Sequence, residues 1–276
     1  TSREERERNL GRDGLKVVTT LDPDMIDAAQ RAAAGDLGTK GVQAAIATVE
    51  VKNGAIRMLM SGQNYEREQR NLVVARKVGK SYQGVRQPGS AFKPFTLVAA
   101  FEEGVPPETR FSSASPYRTD EWDNACNCVE NAEGASNGGM IDLYDATTNS
   151  VNVVFAQLAL KIGPDTIVDA ATRMGITTPL SPVPSITLGS EEASPLDMAS
   201  AYATLADEGT YCKPFVISRI VSAKGKVLYK HKDNCKEVLD PDVANLVTEL
   251  LRGPVQSGTG TAASLGSRPV AGKTGT

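Results

Sequence analysis

The chain has 276 residues, of which 40% are hydrophobic and 23% are charged, a composition typical of a globular protein with a sizeable core. Its formal net charge of −3 offers no electrostatic basis for binding nucleic acid. No apolar run reaches the length of about 18 residues that a membrane-spanning helix needs. The charged stretch over residues 1–13 predicts a solvated linker, and residues 14–276 predict a folded domain.

The first predicted elements are a strand and a helix in "GLKVVTTLDPDMIDAAQRAA", where Asp22 is a suitable N-cap and Pro23 suits the first helical position. The phrase "AAIATVEVKNGAIRMLMSG" predicts a β-hairpin whose turn is Asn53-Gly54. The polar stretch that follows predicts a loop as far as Arg86.

A helix is expected from about Ser90 to a stop at Gly104, and the polar residues 112–139 predict a long loop. "NVVFAQLALKIG" and "PDTIVDAATRMG" predict two helices that each end at a glycine. Two further helices are predicted, one capped by Ser194 and one by Asp240, with a second hairpin in "FVISRIVSAKGKVLYKH" between them. This order predicts an α+β fold with helices packed on an antiparallel sheet.

The chain contains four cysteines, Cys126, Cys128, Cys212 and Cys235. A C-x-C pair and two distant single cysteines do not match the usual spacing of zinc ligands. Disulfides are possible if the protein is exported, and the three connectivities stay open. The pair Cys212–Cys235 is favoured because both residues lie near the ends of a predicted hairpin, with buried thiols as the alternative.

The stretch "RQPGSAFKPF" contains an S-x-x-K pattern, Ser90 and Lys93. Pro88-Gly89 breaks any preceding element, and Pro94 lacks the N–H that would bond to the Ser90 carbonyl. Ser90 is therefore expected at a helix start, where the helix dipole favours developing negative charge. Lys93 follows one turn later on the same face.

A serine needs a base to become a nucleophile, and the usual partner is histidine. The chain's one histidine, His231, lies in the charged phrase "LYKHKD" and is predicted to be a surface residue. Lys93 could act instead if burial and a nearby cation kept its amine neutral. Taken alone, the pair is better explained as a helix cap and an exposed lysine, since roughly one S-x-x-K is expected by chance.

Two further motifs follow in the chain. "NSVNVVF" contains an S-x-N triplet at residues 150–152, and "GKTGT" contains K-T-G-T at residues 273–276. Each has an ordinary explanation, a cap for the first and a strand end with a turn for the second. All three motifs in this order are expected by chance roughly once in a hundred sequences.

Together the motifs resemble those of class A β-lactamases and penicillin-binding proteins. The longer phrases "GLKVVTTLDPDM", "RQPGSAFKPF", "PSITLGSEEASPLDMASAYATLADEGTY" and "SGTGTAASLGSRPVAGKTGT" resemble the transpeptidase domain of class A, bifunctional penicillin-binding proteins, from about Gly14 to Thr276. The resemblance implies an antiparallel sheet sandwiched by helices plus an all-helical lobe, with the active site between sheet and lobe. It also implies a C-terminally truncated domain, with K-T-G-T as an inner strand, and a preceding glycosyltransferase domain and membrane anchor.

The resemblance implies that a serine attacks the D-Ala-D-Ala amide of a peptidoglycan stem peptide and forms an acyl-enzyme. An amine from a neighbouring stem then takes the acyl group, and β-lactam antibiotics acylate the same serine. The implied partners are stem peptides, β-lactams and cell-wall synthesis proteins, on the extracytoplasmic face of the bacterial plasma membrane. No metal and no organic cofactor are implied.

Carried onto this sequence, the resemblance makes Ser90 the nucleophile and Lys93 its base. Ser150 would relay a proton toward the leaving amine, between Lys93 and Lys273. Lys273 would supply positive charge beside the site and help to keep Lys93 neutral.

The resemblance also assigns the substrate contacts. Asn152 would hold a substrate amide, and the hydroxyls of Thr274 and Thr276 would bind the terminal carboxylate, with Gly275 between them. The backbone N–H groups of Ser90 and Thr276 would form the oxyanion hole.

Three alternatives stay open at this point. A serine β-lactamase would need a second base to deliver water, and Glu191 or Glu192 in "GSEEAS" is the candidate. An inactive penicillin-binding sensor would keep the same motifs without crosslinking. A phosphate-binding loop in "GSRPVAGKT" is disfavoured, because Gly266 and Gly272 enclose one residue too many.

Overall fold

The computed structural model describes residues 14–34, 42–62, 69–122, 124–136 and 138–276. The linker predicted over residues 1–13 lies outside these ranges. No helix within them combines the length and the apolar content that crossing a bilayer demands.

Short strands and helices alternate along the described chain. The strands are β1 (Lys16–Thr19), β2 (Ala45–Val49), β3 (Ile56–Ser61), β4 (Arg76–Val78), β5 (Ser81–Gln83), β6 (Phe111–Ser112), β7 (Tyr117–Arg118), β8 (Cys128–Val129), β9 (Met140–Ile141), β10 (Thr210–Cys212), β11 (Ile217–Val221), β12 (Val227–Lys230) and β13 (Cys235–Glu237). The α-helices are α1 (Pro23–Ala34), α2 (Lys93–Glu102), α3 (Leu143–Thr148), α4 (Asn152–Ile162), α5 (Pro164–Arg173), α6 (Pro195–Ala206), α7 (Pro241–Leu250) and α8 (Arg252–Gln256). Short 3₁₀ turns cover Gly89–Phe92, Pro184–Leu188 and Thr261–Ala263. The class is α+β, as predicted.

The strands pair in antiparallel fashion, and both predicted hairpins are confirmed. β2 pairs with β3 around the turn that contains Gly54, and β11 pairs with β12. β11 is central in a three-stranded sheet whose order is β1-β11-β12. An isolated bridge between Ala55 and Phe215 links the two groups of strands.

The first hairpin lies between two helices. α1 packs on β3, where Met58 and Met60 are buried against Ala29 and Ala33. α6 packs on β2 from the helical lobe. Burial on both sides explains why the strands are apolar and why the helices beside them are rich in alanine, which permits close packing. This arrangement agrees with the predicted sheet covered by helices.

The helical lobe is built around α2. Its residues 93–101 are all buried, because the sequence "KPFTLVAAF" is apolar all round apart from Lys93 and Thr96. α4, α5 and α7 pack against it, and Phe92, Phe95 and Phe155 fill the space between them. Such a core fixes the position of α2, and with it the first residues of the S-x-x-K motif.

Two of the loop predictions were wrong in part. Residues 76–83 form the small hairpin β4–β5, and the stretch 112–139 contributes short strands that pair as β6 with β9 and β7 with β8. Helix α3, capped by Asp142, was not predicted. These elements are two to six residues long, too short for hydrophobic periodicity to reveal them.

The K-T-G-T segment, residues 273–276, was expected to be an inner strand, and that expectation was wrong for the described chain. It forms no ladder with any described strand. A strand is defined by such pairing. This segment lies instead against the turn at Pro88, where a Cβ on Gly275 would come within 2.7 Å of the Pro88 carbonyl oxygen. Just before it, the Gly272 N–H donates to the Leu251 carbonyl at 2.9 Å. The segment thus reaches the site without a sheet.

All four cysteines form disulfides. Cys212 pairs with Cys235, which confirms the favoured pair and joins β10 to β13 where the two residues lie opposite each other. Cys126 pairs with Cys128 in the loop between β7 and β8.

Candidate active site

Ser90 lies where the sequence predicted it, at the start of a helix. It is the second residue of the 3₁₀ turn that leads into α2, and the Lys93 N–H donates to its carbonyl. Pro94 occupies the first turn of α2, so the helix loses no internal hydrogen bond. Ser90 is half-buried and lines a cleft, so its hydroxyl is accessible to a substrate.

Lys93 is fully buried, which rules out the alternative of an exposed first-turn lysine. Its Nζ donates to the Ser150 carbonyl at 2.8 Å and to Asn152 Oδ1 at 2.7 Å, and lies 3.1 Å from Ser150 Oγ. The Phe155 ring covers the amine, with its centroid 5.1 Å from Nζ. Burial, and secondly the positive charge of Lys273, lower the pKa of Lys93 from 10.5 to about 6. This amine is therefore mostly neutral at pH 7.

Ser150 joins α3 to α4 and has a left-handed backbone, with φ of 55°. This conformation is uncommon for any residue other than glycine. It occurs here because the chain must turn sharply between the two helices. The turn directs both the carbonyl and the hydroxyl of Ser150 at Lys93.

Lys273 reaches Ser150 from the other side. Its Nζ donates to Ser150 Oγ at 2.7 Å and to the Thr274 carbonyl at 3.3 Å. Burial lowers the pKa of Lys273 from 10.5 to about 8, so it keeps its proton at neutral pH. A single hydroxyl thus connects a neutral amine and a charged one, which is a path along which a proton can pass.

Both ends of the Asn152 side chain are engaged. Oδ1 accepts from Lys93 Nζ, and Nδ2 donates to the Glu130 carbonyl at 3.0 Å. The amide is therefore oriented with its oxygen toward the buried amine. A substrate could accept from the second Nδ2 hydrogen or donate to the second lone pair of Oδ1.

The K-T-G-T segment packs directly on the turn that carries Ser90, and glycines make this possible. A Cβ at Gly275 would lie 2.7 Å from the Pro88 carbonyl oxygen, and one at Gly89 would overlap the Thr276 backbone. Gly89 also has φ of 59°, in the left-handed region. Gly275 thus has a packing reason for its presence, and the contact brings Thr276 beside Ser90.

The cleft has a volume of about 900 Å³. The residues that line it are Ser90, Glu130, Asn131, Ala132, Glu133, Gly134, Ala135, Asn149, Ser150, Asn152, Leu188, Ser257, Gly258, Thr259, Thr274, Gly275 and Thr276. Sequence reasoning missed two groups, the rim at residues 130–135 and the stretch 257–259, where Thr259 Oγ1 lies 2.8 Å from Thr274 Oγ1. The polar composition of both stretches was the available signal.

The structure brings together every residue that the sequence assigned to the site, because Lys93 and Lys273 both meet Ser150 at the base of this cleft. Among the described residues no hydrogen bond joins Ser90 Oγ to Lys93 Nζ, whose partners are Ser150 and Asn152. His231 stacks on Phe215 and does not line the cleft. The described residues include no group of three or more acidic, histidine or cysteine side chains that could hold a metal ion.

Comparison with known proteins identifies the family. A family model for the penicillin binding protein transpeptidase domain matches residues 44–276. A curated relative named Penicillin-binding protein 1A, from Aquifex aeolicus, is 31% identical over 240 residues, which cover 85% of this chain and 31% of that protein. The chain spans about a third of the length of the curated relatives it matches.

Solved structures agree in fold. The PonA1 protein from Mycobacterium tuberculosis in complex with penicillin V superposes with a TM-score of 0.77 and 30% identity, over 90% of this chain and 66% of that one. The D,D-transpeptidase domain of a peptidoglycan glycosyltransferase from Eggerthella lenta gives a TM-score of 0.77 and 25% identity, over 95% and 71% of the two chains. The chain belongs to the family of penicillin-binding protein transpeptidase domains.

Proposed function

We propose that this chain is a serine D-Ala-D-Ala transpeptidase, which crosslinks peptidoglycan stem peptides through an acyl-enzyme and is acylated by β-lactams. The observation that carries the proposal is that two largely buried lysines, Lys93 and Lys273, both hydrogen bond to Ser150 Oγ. The three groups meet at the base of the cleft that Ser90 and Ser150 line. The relatives support it, because one solved structure holds penicillin V and another is described as a D,D-transpeptidase domain.

In the first half-reaction, neutral Lys93 accepts the Ser90 proton while Ser90 Oγ attacks the carbonyl carbon of the penultimate D-Ala. Collapse of the tetrahedral intermediate breaks the peptide bond. The proton then passes from Lys93 through the Ser150 hydroxyl to the departing amine of the terminal D-Ala. In the second half-reaction an acceptor amine attacks the acyl carbon, the ester bond to Ser90 Oγ breaks, and the proton that the amine loses returns to Ser90 along the same path.

The oxyanion hole would consist of the backbone N–H groups of Ser90 and Thr276. The contact between the K-T-G-T segment and the turn that carries Ser90 supports this proposal, because the Thr276 nitrogen lies 2.9 Å from the position of a Cβ on Gly89. Each such donor is typically worth about 3 kcal/mol of transition-state stabilisation. Thr274, Gly275 and Thr276 lie on the same side of the cleft and would bind the substrate carboxylate next to the Lys273 charge.

The wider setting is proposed on the same basis. Two disulfides suit an extracytoplasmic location, where thiols oxidise. Residues 14–276 would form the transpeptidase domain, with residues 1–13 as the linker from a glycosyltransferase domain and membrane anchor. Cell-wall synthesis proteins would be its neighbours.

The test is an intact-mass measurement after incubation with a penicillin. We expect one adduct on the native protein and none on Ser90→Ala. An adduct on the Ser90→Ala protein, or none on the native protein, would refute the proposal.

The same sample separates the alternatives. A β-lactamase would hydrolyse the drug and lose its adduct within minutes. The structure does not favour this alternative, because neither Glu191 nor Glu192 lines the cleft and Glu191 accepts from the Ser181 N–H. A sensor would keep the adduct and fail to crosslink lipid-linked peptidoglycan precursor, whereas we expect crosslinked product.

A further inference from the structure

Asn131 lies on the cleft rim, in the loop between β8 and β9, and is tied down at three points. Its Oδ1 accepts from the Val153 N–H at 3.0 Å, and its Nδ2 donates to the Ser113 carbonyl at 3.0 Å. Its own backbone N–H donates to Ser115 Oγ at 2.9 Å. An amide with both ends satisfied holds one orientation, so Asn131 is a fixed point on the rim.

Helix α4 needs an acceptor at its start. The first N–H groups of a helix have no partner within the helix, and a polar N-cap side chain usually supplies one. Here the N-cap is Val151, which makes no side-chain cap. The oxygen of Asn131, 22 residues earlier in the chain, takes over that task for Val153.

The neighbour of Asn131 acts on the site itself. The Glu130 carbonyl accepts from Asn152 Nδ2, and Asn152 Oδ1 accepts from Lys93 Nζ. If the rim moved, the Asn152 amide could rotate and turn its N–H groups toward the Lys93 amine. Lys93 Nζ would then lose the oxygen that accepts its hydrogen bond. The hydrogen bonds of Asn131 therefore hold the helix start and the carbonyl that together set the direction of Asn152.

We propose that Asn131 is a positioning residue: it caps α4 from the cleft rim and so keeps the amide of Asn152, and through it Lys93, in place for acylation. The inference rests on the proposed transpeptidase function, and it assigns a role to a residue outside the three motifs.

The experiment compares Asn131→Leu with Gln157→Leu, a matched amide-to-leucine control. Gln157 lies on α4, the helix that Asn131 caps, and donates to the carbonyls of Ser112 and Val153, but it makes no hydrogen bond to Asn152 or Glu130. Thermal denaturation and the penicillin acylation kinetics are measured for both. We expect similar losses of Tm, and at least a tenfold fall in the saturating acylation rate constant for Asn131→Leu alone, with little change in the noncovalent dissociation constant. Asn131→Asp keeps the acceptor for Val153 but loses the donor to the Ser113 carbonyl, so it should recover only part of the rate constant that Asn131→Leu loses.

Equal acylation by native protein and folded Asn131→Leu would overturn the proposal. Equal losses in the two leucine variants, or no rescue by aspartate, would overturn it as well. If Asn131→Leu does not fold, Asn131→Ala, which removes the same acceptor with a smaller side chain, carries the test, and an unchanged rate constant there is the refuting result. Native protein that takes no adduct at all refutes the transpeptidase function itself, before any variant is compared.

Discussion

The rate of acylation by a penicillin should depend on pH as a bell, because the two cleft lysines must be in opposite protonation states. In the proposed mechanism Lys93 acts as a base only when it is neutral, and Lys273 supplies charge only when it is protonated. Their pKa values are about 6 and about 8. The second-order rate constant should therefore rise as the pH increases through about 6 and fall as it passes about 8. Both limbs belong to the coupled pair, since the amines share Ser150 Oγ.

The magnitudes follow from the burial and the geometry. At pH 7 a lysine with a pKa of 10.5 is neutral in about one molecule in 3000, whereas a pKa of about 6 leaves about nine tenths neutral, a gain on the order of 10³ in active base. Lys93 and Lys273 lie 3.1 and 2.7 Å from the same oxygen, so their charges are roughly 5 Å apart. At an effective dielectric constant of about 30, their repulsion is about 2 kcal/mol, or between one and two pKa units.

Two variants of Lys273 separate the limbs. Lys273→Gln removes the repulsion, so the pKa of Lys93 should rise and the acidic limb should move up by about one to two pH units, while the basic limb disappears. Lys273→Arg keeps a charge that does not titrate in this range, so the acidic limb should stay near 6 and the basic limb should disappear. The positions of the limbs carry the test, because either change can also lower the plateau.

The assay uses limiting penicillin between pH 5 and 9.5, with the adduct counted by intact mass, so that it reports the free enzyme. An acidic limb that stays near pH 6 in Lys273→Gln would show that the lysines are not coupled as the structure indicates. A native profile without an acidic limb would remove Lys93 from the role of base.

Further expectations concern packing around the site. Thr96→Val should lower the free energy of unfolding, measured by urea denaturation, by about 1–3 kcal/mol, because the buried Thr187 hydroxyl 2.8 Å away loses its partner. The double variant with Thr187→Val should recover most of that loss, and additive losses would contradict this reasoning. Gly89→Ala should slow acylation at least tenfold, because its Cβ would displace the K-T-G-T segment, whereas Gly104→Ala, equally left-handed but in open space, should lower Tm without slowing acylation. Equal rate losses in the two glycine variants would show that the contact with the segment does not matter.

Helix starts could be predicted from sequence because their signals are local. Asp22, Ser194 and Asp240 each accept a backbone N–H from two or three residues ahead. Such contacts need no tertiary structure, so a short stretch of sequence contains all the information. The hairpin at Gly54 is predictable for the same reason.

The site was predicted as a set of motifs, but its geometry was not. Full burial of Lys93 depends on helices that arrive from distant parts of the chain, and no property of the motif distinguishes it from an exposed lysine. The left-handed backbone of Ser150 depends on how two helices meet. The contact of Asn131 with Val153 spans 22 residues between two stretches that share no periodicity. These features arise from tertiary packing, which local patterns do not encode.

The features that sequence could not supply are also those that cost stability. Ser150 holds a backbone conformation that costs about 1–3 kcal/mol. The unfolded chain binds the Lys93 proton more tightly than the folded chain does. Burial of this amine, together with the Lys273 charge beside it, therefore destabilises the fold by about 6 kcal/mol below pH 6, and the loss declines to zero as the pH rises to 10.5. Both residues stand at helix starts: Lys93 is the first residue of α2, and Ser150 comes just before α4. Most of the other residues of these two helices belong to the main hydrophobic core. A core that dense can hold a strained serine and a dehydrated amine in place, and this explains why the S-x-x-K and S-x-N motifs begin the two central helices rather than lying on loops.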